Sequence, residues 1–122
     1  MGSTVAVSAV QPVPGVPEAG TIRLTGAITY REAPRLRREL LRMLERSGAP
    51  KMVLSMSGVE EMDTAGAAVL AEVIKRALEK NQRVLLCSPS DAVSKVFRLA
   101  GFSEVLARTC TDPAETHRRL LT

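Results

Sequence analysis

Met52-Val-Leu-Ser-Met-Ser-Gly-Val-Glu-Glu-Met-Asp-Thr-Ala-Gly-Ala-Ala-Val-Leu70 is the stretch on which the fold turns. Met52 to Met56 is a nearly continuous apolar run that stops at polar residues. Strands of that composition are buried on both faces, as in the centre of a sheet. A loop is expected next. Asp63-Thr64-Ala65-Gly66 then opens a helical pattern running to about Lys80, with Leu70, Val73, Ile74 and Ala77 as its core stripe. The stretch reads as strand, turn and helix, with a hydroxyl at the helix mouth.

Upstream, the alternation of Val5, Val7 and Val10 marks a first strand over Thr4 to Val10. Residues 11 to 20 carry three prolines and two glycines, giving a turn or long hairpin loop. This loop and the first few residues are expected to be flexible. Thr21 to Thr25 alternates as a second strand, ended by Gly26. Thr29 and Glu32 have the spacing of a capping box for a helix whose apolar stripe is Leu36, Leu40, Met43 and Leu44. Arg35, Arg38, Arg42 and Arg46 fall on its wet side, and Gly48 and Pro50 stop it.

Downstream, Glu72 with Arg76 and Lys75 with Glu79 are spaced to pair across a helical turn, and Asn81 ends that helix. Arg83 to Cys87 is a further strand. Ser88-Pro-Ser-Asp91 restarts a helix whose buried face is Val93, Val96, Phe97 and Ala100, capped by Gly101. Ser103 to Ala107 reads as a last short strand. Asp112 and Pro113 begin a terminal helix. The order β-β-α-β-α-β-α-β-α predicts an α/β fold. It is a four- to five-stranded mixed, mostly parallel sheet with about four helices mainly on one face. No repeat or linker divides residues 1–122, so one domain is expected.

Composition sets outer bounds. Of 122 residues, 45% are hydrophobic and only 2% aromatic, so the core must be aliphatic. No apolar run approaches the roughly 20 residues of a spanning helix. No early basic segment precedes a long apolar stretch, so no signal peptide is expected. Cys87 and Cys110 lack metal-ligand spacing and read as two reduced, partly buried thiols of a cytoplasmic protein, with a single disulfide as the other reading. The net charge is +4, with six arginines between Arg31 and Arg46 offset by Glu32, Glu39 and Glu45. That face is either solvated or meets an acidic partner or anionic headgroups. With so few aromatics for base stacking, direct nucleic-acid binding is not expected. The oligomeric state is open: the basic first helix and the edge strand near residues 4 to 10 each offer a pairing surface.

Three readings of Thr64 compete. It or Asp63 is a helix cap, worth about 1 kcal/mol. It is a nucleophile, but that requires a base and an orienting group; the only histidine, His117, lies in the terminal helix outside any motif. No His, Cys or acid cluster suggests a metal, and no cofactor motif is present. It is a phosphoacceptor, where a phosphate would add roughly −1.5 to −2 charges at a helix N-terminus that favours anions. Thr64, Ala68, Ala71 and Lys75 also share one helix stripe, and three of these four are small enough for close approach of a partner.

Val53 to Leu70, with its Asp63-Thr64-Ala65-Gly66 core, resembles the signature of STAS domains, the family of anti-sigma factor antagonists. Ser88-Pro-Ser-Asp-Ala-Val-Ser-Lys-Val-Phe-Arg-Leu-Ala-Gly-Phe102 resembles the second block of that pattern, in the right order and spacing. The resemblance covers about residues 5 to 121. It implies a non-enzymatic switch with no cofactor, in which Thr64 is the phosphoacceptor and Asp63, Thr64, Ala65, Gly66, Ala68, Ala71 and Lys75 meet the partner. The implied partners are an anti-sigma factor serine/threonine kinase, bound when Thr64 is unmodified and released on phosphorylation, and a cognate phosphatase. The sequence departs from the pattern at Ser55 and at Ala27-Ile-Thr29, where the family often carries Asp, and in having Thr-Ala for Ser-Ser after Asp63. Thr-Ala also resembles small STAS subunits that bind the ATPase of lipid-transport ABC systems. That role, or a scaffold module of a larger signalling complex, is the alternative.

Overall fold

A computed structural model of the chain describes residues 4–122. The elements are β1 (Ala6–Val7), β2 (Gln11–Val13), β3 (Val16–Ile28), α1 (Ala33–Ser47), β4 (Lys51–Met62), α2 (Thr64–Glu79), β5 (Arg83–Cys87), α3 (Asp91–Leu99), α4 (Ser103–Ala107), β6 (Thr109–Cys110) and α5 (Pro113–Leu120). They form a six-stranded sheet ordered β1-β3-β4-β5-β6, with β2 also paired to β3. The β3–β4, β4–β5 and β5–β6 ladders are parallel, and β1 and β2 run antiparallel to β3. Ser8 bridges β1 and β2: its N–H donates to Arg23 O at 3.0 Å, and its Oγ accepts from Arg23 N at 2.9 Å. The two short strands thus act as one broken edge, and the sheet is in effect the mixed, mostly parallel one that the element order predicts.

Strand alternation divides the core in two. Ile22, Leu24, Met52, Leu54, Met56, Val84 and Leu86 point to the face covered by α1 to α4. Val53, Leu85, Cys87 and Cys110 point to the other, where Leu120 of α5 meets them. This is why β4 reads as a continuous apolar run: both faces are covered. Each fully buried aliphatic side chain contributes about 1.5–3 kcal/mol. Cations secure α5 at its C-terminal end, where carbonyls carry partial negative charge. Lys51, the first residue of β4, donates to Leu120 O; its register partner Arg83 donates to Arg119 O at 2.6 Å and Thr122 O at 3.1 Å.

Several expectations are corrected. Residues 11 to 20, expected as a turn or long hairpin loop, are mostly paired strand: they form most of a β2–β3 hairpin turning at Pro14-Gly15. The expectation for the first few residues falls partly on residues 1–3, which lie outside the described residues. β3 does not end at Gly26; it continues to Ile28 through a register shift beside that glycine, whose φ of 88° a side chain would resist. β4 likewise runs past Met56 to Met62, replacing the expected loop. At α1 the N-cap is Glu32 without a side-chain cap, and Thr29 contributes its carbonyl to a turn instead of a capping box. Lys75 and Glu79 form no ion pair among the described residues; the expected Glu72–Arg76 pair forms, and Glu72 pairs with Arg37 as well. Ser103–Ala107 is helical, and the last strand falls at Thr109–Cys110. Val105 and Leu106 both face the core while Glu104 and Ala107 stay exposed, a pattern five residues cannot distinguish from a strand in sequence.

Candidate functional site

Helix α2 starts where β4 leaves the sheet, and its first residues are built around one carboxylate. Asp63 has extended backbone, and its Oδ1 accepts from Gly66 N at 2.9 Å. Its Oδ2 accepts from Tyr30 N at 2.8 Å, and its own N–H donates to Ile28 O at 3.2 Å. Asp63 therefore caps α2 and also ties it to the end of β3. Of the two capping candidates in sequence, the cap is Asp63. Thr64 is the first helical residue, exposed, and its hydroxyl has no hydrogen-bond partner among the described residues.

Gly66 is buried against Ile28. A Cβ there would sink into the Ile28 carbonyl oxygen and lie 2.7 Å from its Cγ2. Glycine at this position lets the helix start lie directly on the end of β3. The residues expected to meet a partner thus divide by environment. Asp63 and Gly66 hold the helix mouth. Thr64, Ala68 and Lys75 are exposed and Ala71 half-buried, so the stripe inferred from spacing is an open face of α2. Ala65 is half-buried and packs against the core edge.

At its lower end the stripe runs into a groove of about 210 Å³ between α2 and the α3–α4 corner, lined by Ala71, Lys75, Leu78, Phe102 and Glu104 among others. Leu78 adds apolar surface there, 40% exposed. At the upper end lies a cavity of about 550 Å³ lined by Tyr30, Arg31, Glu32, Glu61 and Asp63 among others. Tyr30 is 63% exposed, and Arg31 lies over its ring with Cζ 5.7 Å from the centroid. Tyr30, Arg31, Leu78 and Phe102 are neighbours of the site that sequence reading missed. The signal available was Tyr30 itself, the lone tyrosine placed just beyond a strand end.

Charge around Thr64 is mixed. Glu60 and Glu61 are exposed on the last part of β4, and Arg31 is the cation across the cavity. Farther down α2, Arg37 reaches from α1 to Glu72 with Nε 2.6 Å from the carboxylate. That hydrogen bond, with the charges of Arg37 and Arg76 and against some desolvation, holds the Glu72 carboxyl below its ordinary range. His117 lies on α5, beside Cys87 and Pro113 on the other face of the sheet, and the structure does not bring it to Thr64. Among the described residues no group of three or more His, Cys, Asp or Glu could hold a metal ion.

Known proteins share this fold. The pattern of the STAS domain family matches residues 11–116. The anti-sigma factor antagonist SpoIIAA in its unphosphorylated form superposes with a TM-score of 0.68 at 20% identity, over 92% of this chain and 96% of that one. The Bacillus cell fate determinant SpoIIAA in its phosphorylated form gives 0.63 at 19% identity, over 92% and 99%. A sulfate transporter family protein from Wolinella succinogenes gives 0.71 at 20% identity, over 90% and 88%. At these identities the likeness is one of fold.

Proposed function

Because the chain belongs to the STAS domain family, we propose that it is an anti-sigma factor antagonist, a protein-binding switch controlled by phosphorylation of Thr64. In this reading the unmodified chain docks an anti-sigma factor kinase along α2, and a phosphatase restores the docking form. The observation that carries the reading is the exposed Thr64 hydroxyl, bonded to nothing among the described residues, at the first position of a helix capped by its neighbour.

The physical chemistry is consistent. A phosphate at Thr64 would sit where the first-turn N–H groups of α2 carry partial positive charge, so the domain tolerates it. Asp63 already holds the Gly66 N–H, so the cap does not depend on the threonine. The penalty falls on the partner: roughly −1.5 to −2 charges appear next to a surface that already carries Asp63 and Glu61. The small residues Ala68, exposed, and Ala71, half-buried, allow another helix to approach closely, and the groove beside Lys75 offers an apolar seat for it. Such a protein acts in the cytoplasm and needs no catalytic group of its own.

The test is incubation with the serine/threonine anti-sigma kinases of the same genome and ATP, read by mass spectrometry. Phosphate on Thr64, absent in Thr64→Ala, is the expected outcome, with Thr64→Ala retaining its melting temperature. Thr64→Glu should weaken kinase binding at least tenfold. No phosphate on Thr64 with any kinase would sink the reading.

The Thr-Ala pair after Asp63 favours a second reading, a subunit that docks the ATPase of a lipid-transport ABC system. It predicts stable copurification with a nucleotide-binding subunit, indifferent to Thr64→Glu.

A further inference from the structure

We propose that Cys87 and Cys110 form a reversible intramolecular disulfide, made by exchange with a small disulfide of the glutathione class. The two cysteines are direct register partners on the adjacent parallel strands β5 and β6. Neighbouring strands lie about 4.8 Å apart, inside the Cα range of roughly 4.4–6.8 Å that disulfides span. Both side chains pack into the one buried cluster beneath α5, so they point to the same side of the sheet. Both thiols are free.

Lateral neighbours in a sheet hold their Cβ atoms somewhat farther apart than the about 3.8 Å of a relaxed disulfide. Closing the bond must draw the two strand ends together. Each cysteine is the last residue of its strand, and β6 is a two-residue strand at the sheet edge, so little pairing opposes that movement. The residual strain makes the bond easy to reduce, which suits a switch better than a permanent staple.

The structure also orders the chemistry. Cys87 lines a groove of about 380 Å³ between α5 and the β2–β3 hairpin, with Ser55 and Val53 on its floor and exposed Pro12 and His117 at its rim. Cys87 is buried but keeps 6% exposure, whereas Cys110 has none. A small disulfide entering the groove meets Cys87 first. The Cys87 thiolate attacks one of its sulfurs, giving a mixed disulfide and one released thiolate. The Cys110 thiolate then attacks the Cys87 sulfur and expels the second thiolate. The two protein thiols lose two electrons and two protons, and the small disulfide gains them as two thiols.

The closed loop, residues 87 to 110, contains α3 and α4, whose corner lines the groove beside Lys75. An effect of oxidation on docking therefore rests on the reading proposed above; the bond itself does not.

The test treats the native full chain with excess glutathione disulfide, traps remaining thiols by alkylation, and maps peptides without reduction. The expected result is loss of two hydrogens, a peptide linking Cys87 to Cys110, unchanged far-ultraviolet circular dichroism, and full return of both thiols with dithiothreitol. Cys110→Ala should stop at a glutathione adduct on Cys87. Quantitative alkylation of both cysteines, an unresolved adduct on Cys87 in the unmutated chain, links between chains only, or a bond formed only in urea would each overturn the proposal. The peptide map of the unmutated chain decides the matter even if the variant does not fold.

Discussion

Four consecutive residues, Asp63 to Gly66, carry three different jobs. The motif was legible in the sequence, but the division of labour was not, because cap, neighbour and contact residue look alike in a string. Asp63→Ala removes acceptors for both Gly66 N and Tyr30 N. It should cost about 2 kcal/mol in urea unfolding, from loss of a cap and a second charge-assisted hydrogen bond. Gly66→Ala should cost more, above about 3 kcal/mol, because the new methyl collides with backbone that cannot rotate away. Thr64→Ala should leave the unfolding midpoint unchanged. Equal losses at all three positions would mean that the helix mouth is not organised around Asp63.

At the scale of elements, hydrophobic period placed the long helices well and the turn regions poorly. α2 is predicted from about Thr64 to Lys80 and observed over Thr64–Glu79, followed by Asn81 in the left-handed conformation at φ 60°. The strands ran longer than their apolar runs. The polar halves of β3 and β4 are held by ladder pairing with each other, as far as Ile28 with Met62, and a pairing partner leaves no local trace. Helix pairing was also hidden. Arg37 belongs to the basic segment, but only the fold sets it against Glu72 on α2. The depressed Glu72 carboxyl stabilises the native state above the unfolded glutamate range, near the ordinary value of 4.5, and that contribution is lost as pH falls through the lower folded value. The difference in urea midpoint between the unmutated chain and Glu72→Gln should therefore be constant from neutrality to about pH 5 and shrink in more acidic solution. A difference that grows as pH falls would contradict the pairing.

For the whole molecule, two-sided burial is the deciding fact. α5 has eight residues and one deeply buried leucine, Leu120, 1% exposed. Leu120→Ala should cost about 2–5 kcal/mol and raise protease cleavage within α5 well before β4 and β5 unfold. Cleavage at unchanged rate would show that the Lys51 and Arg83 clamp alone holds the helix. By itself the sequence determined the α/β class, the element order from β3 to α3, the central place of β4 and the family motif at Thr64, because these depend on local periodicity and on short fixed spacings. Only the tertiary structure decided that β1 and β2 share the edge of β3, that α5 lies alone on the second face, that Tyr30 joins the Asp63 cap, and that Cys87 meets Cys110. Each of those joins residues distant along the chain, and such contacts are set by sheet register and packing, which no local pattern encodes.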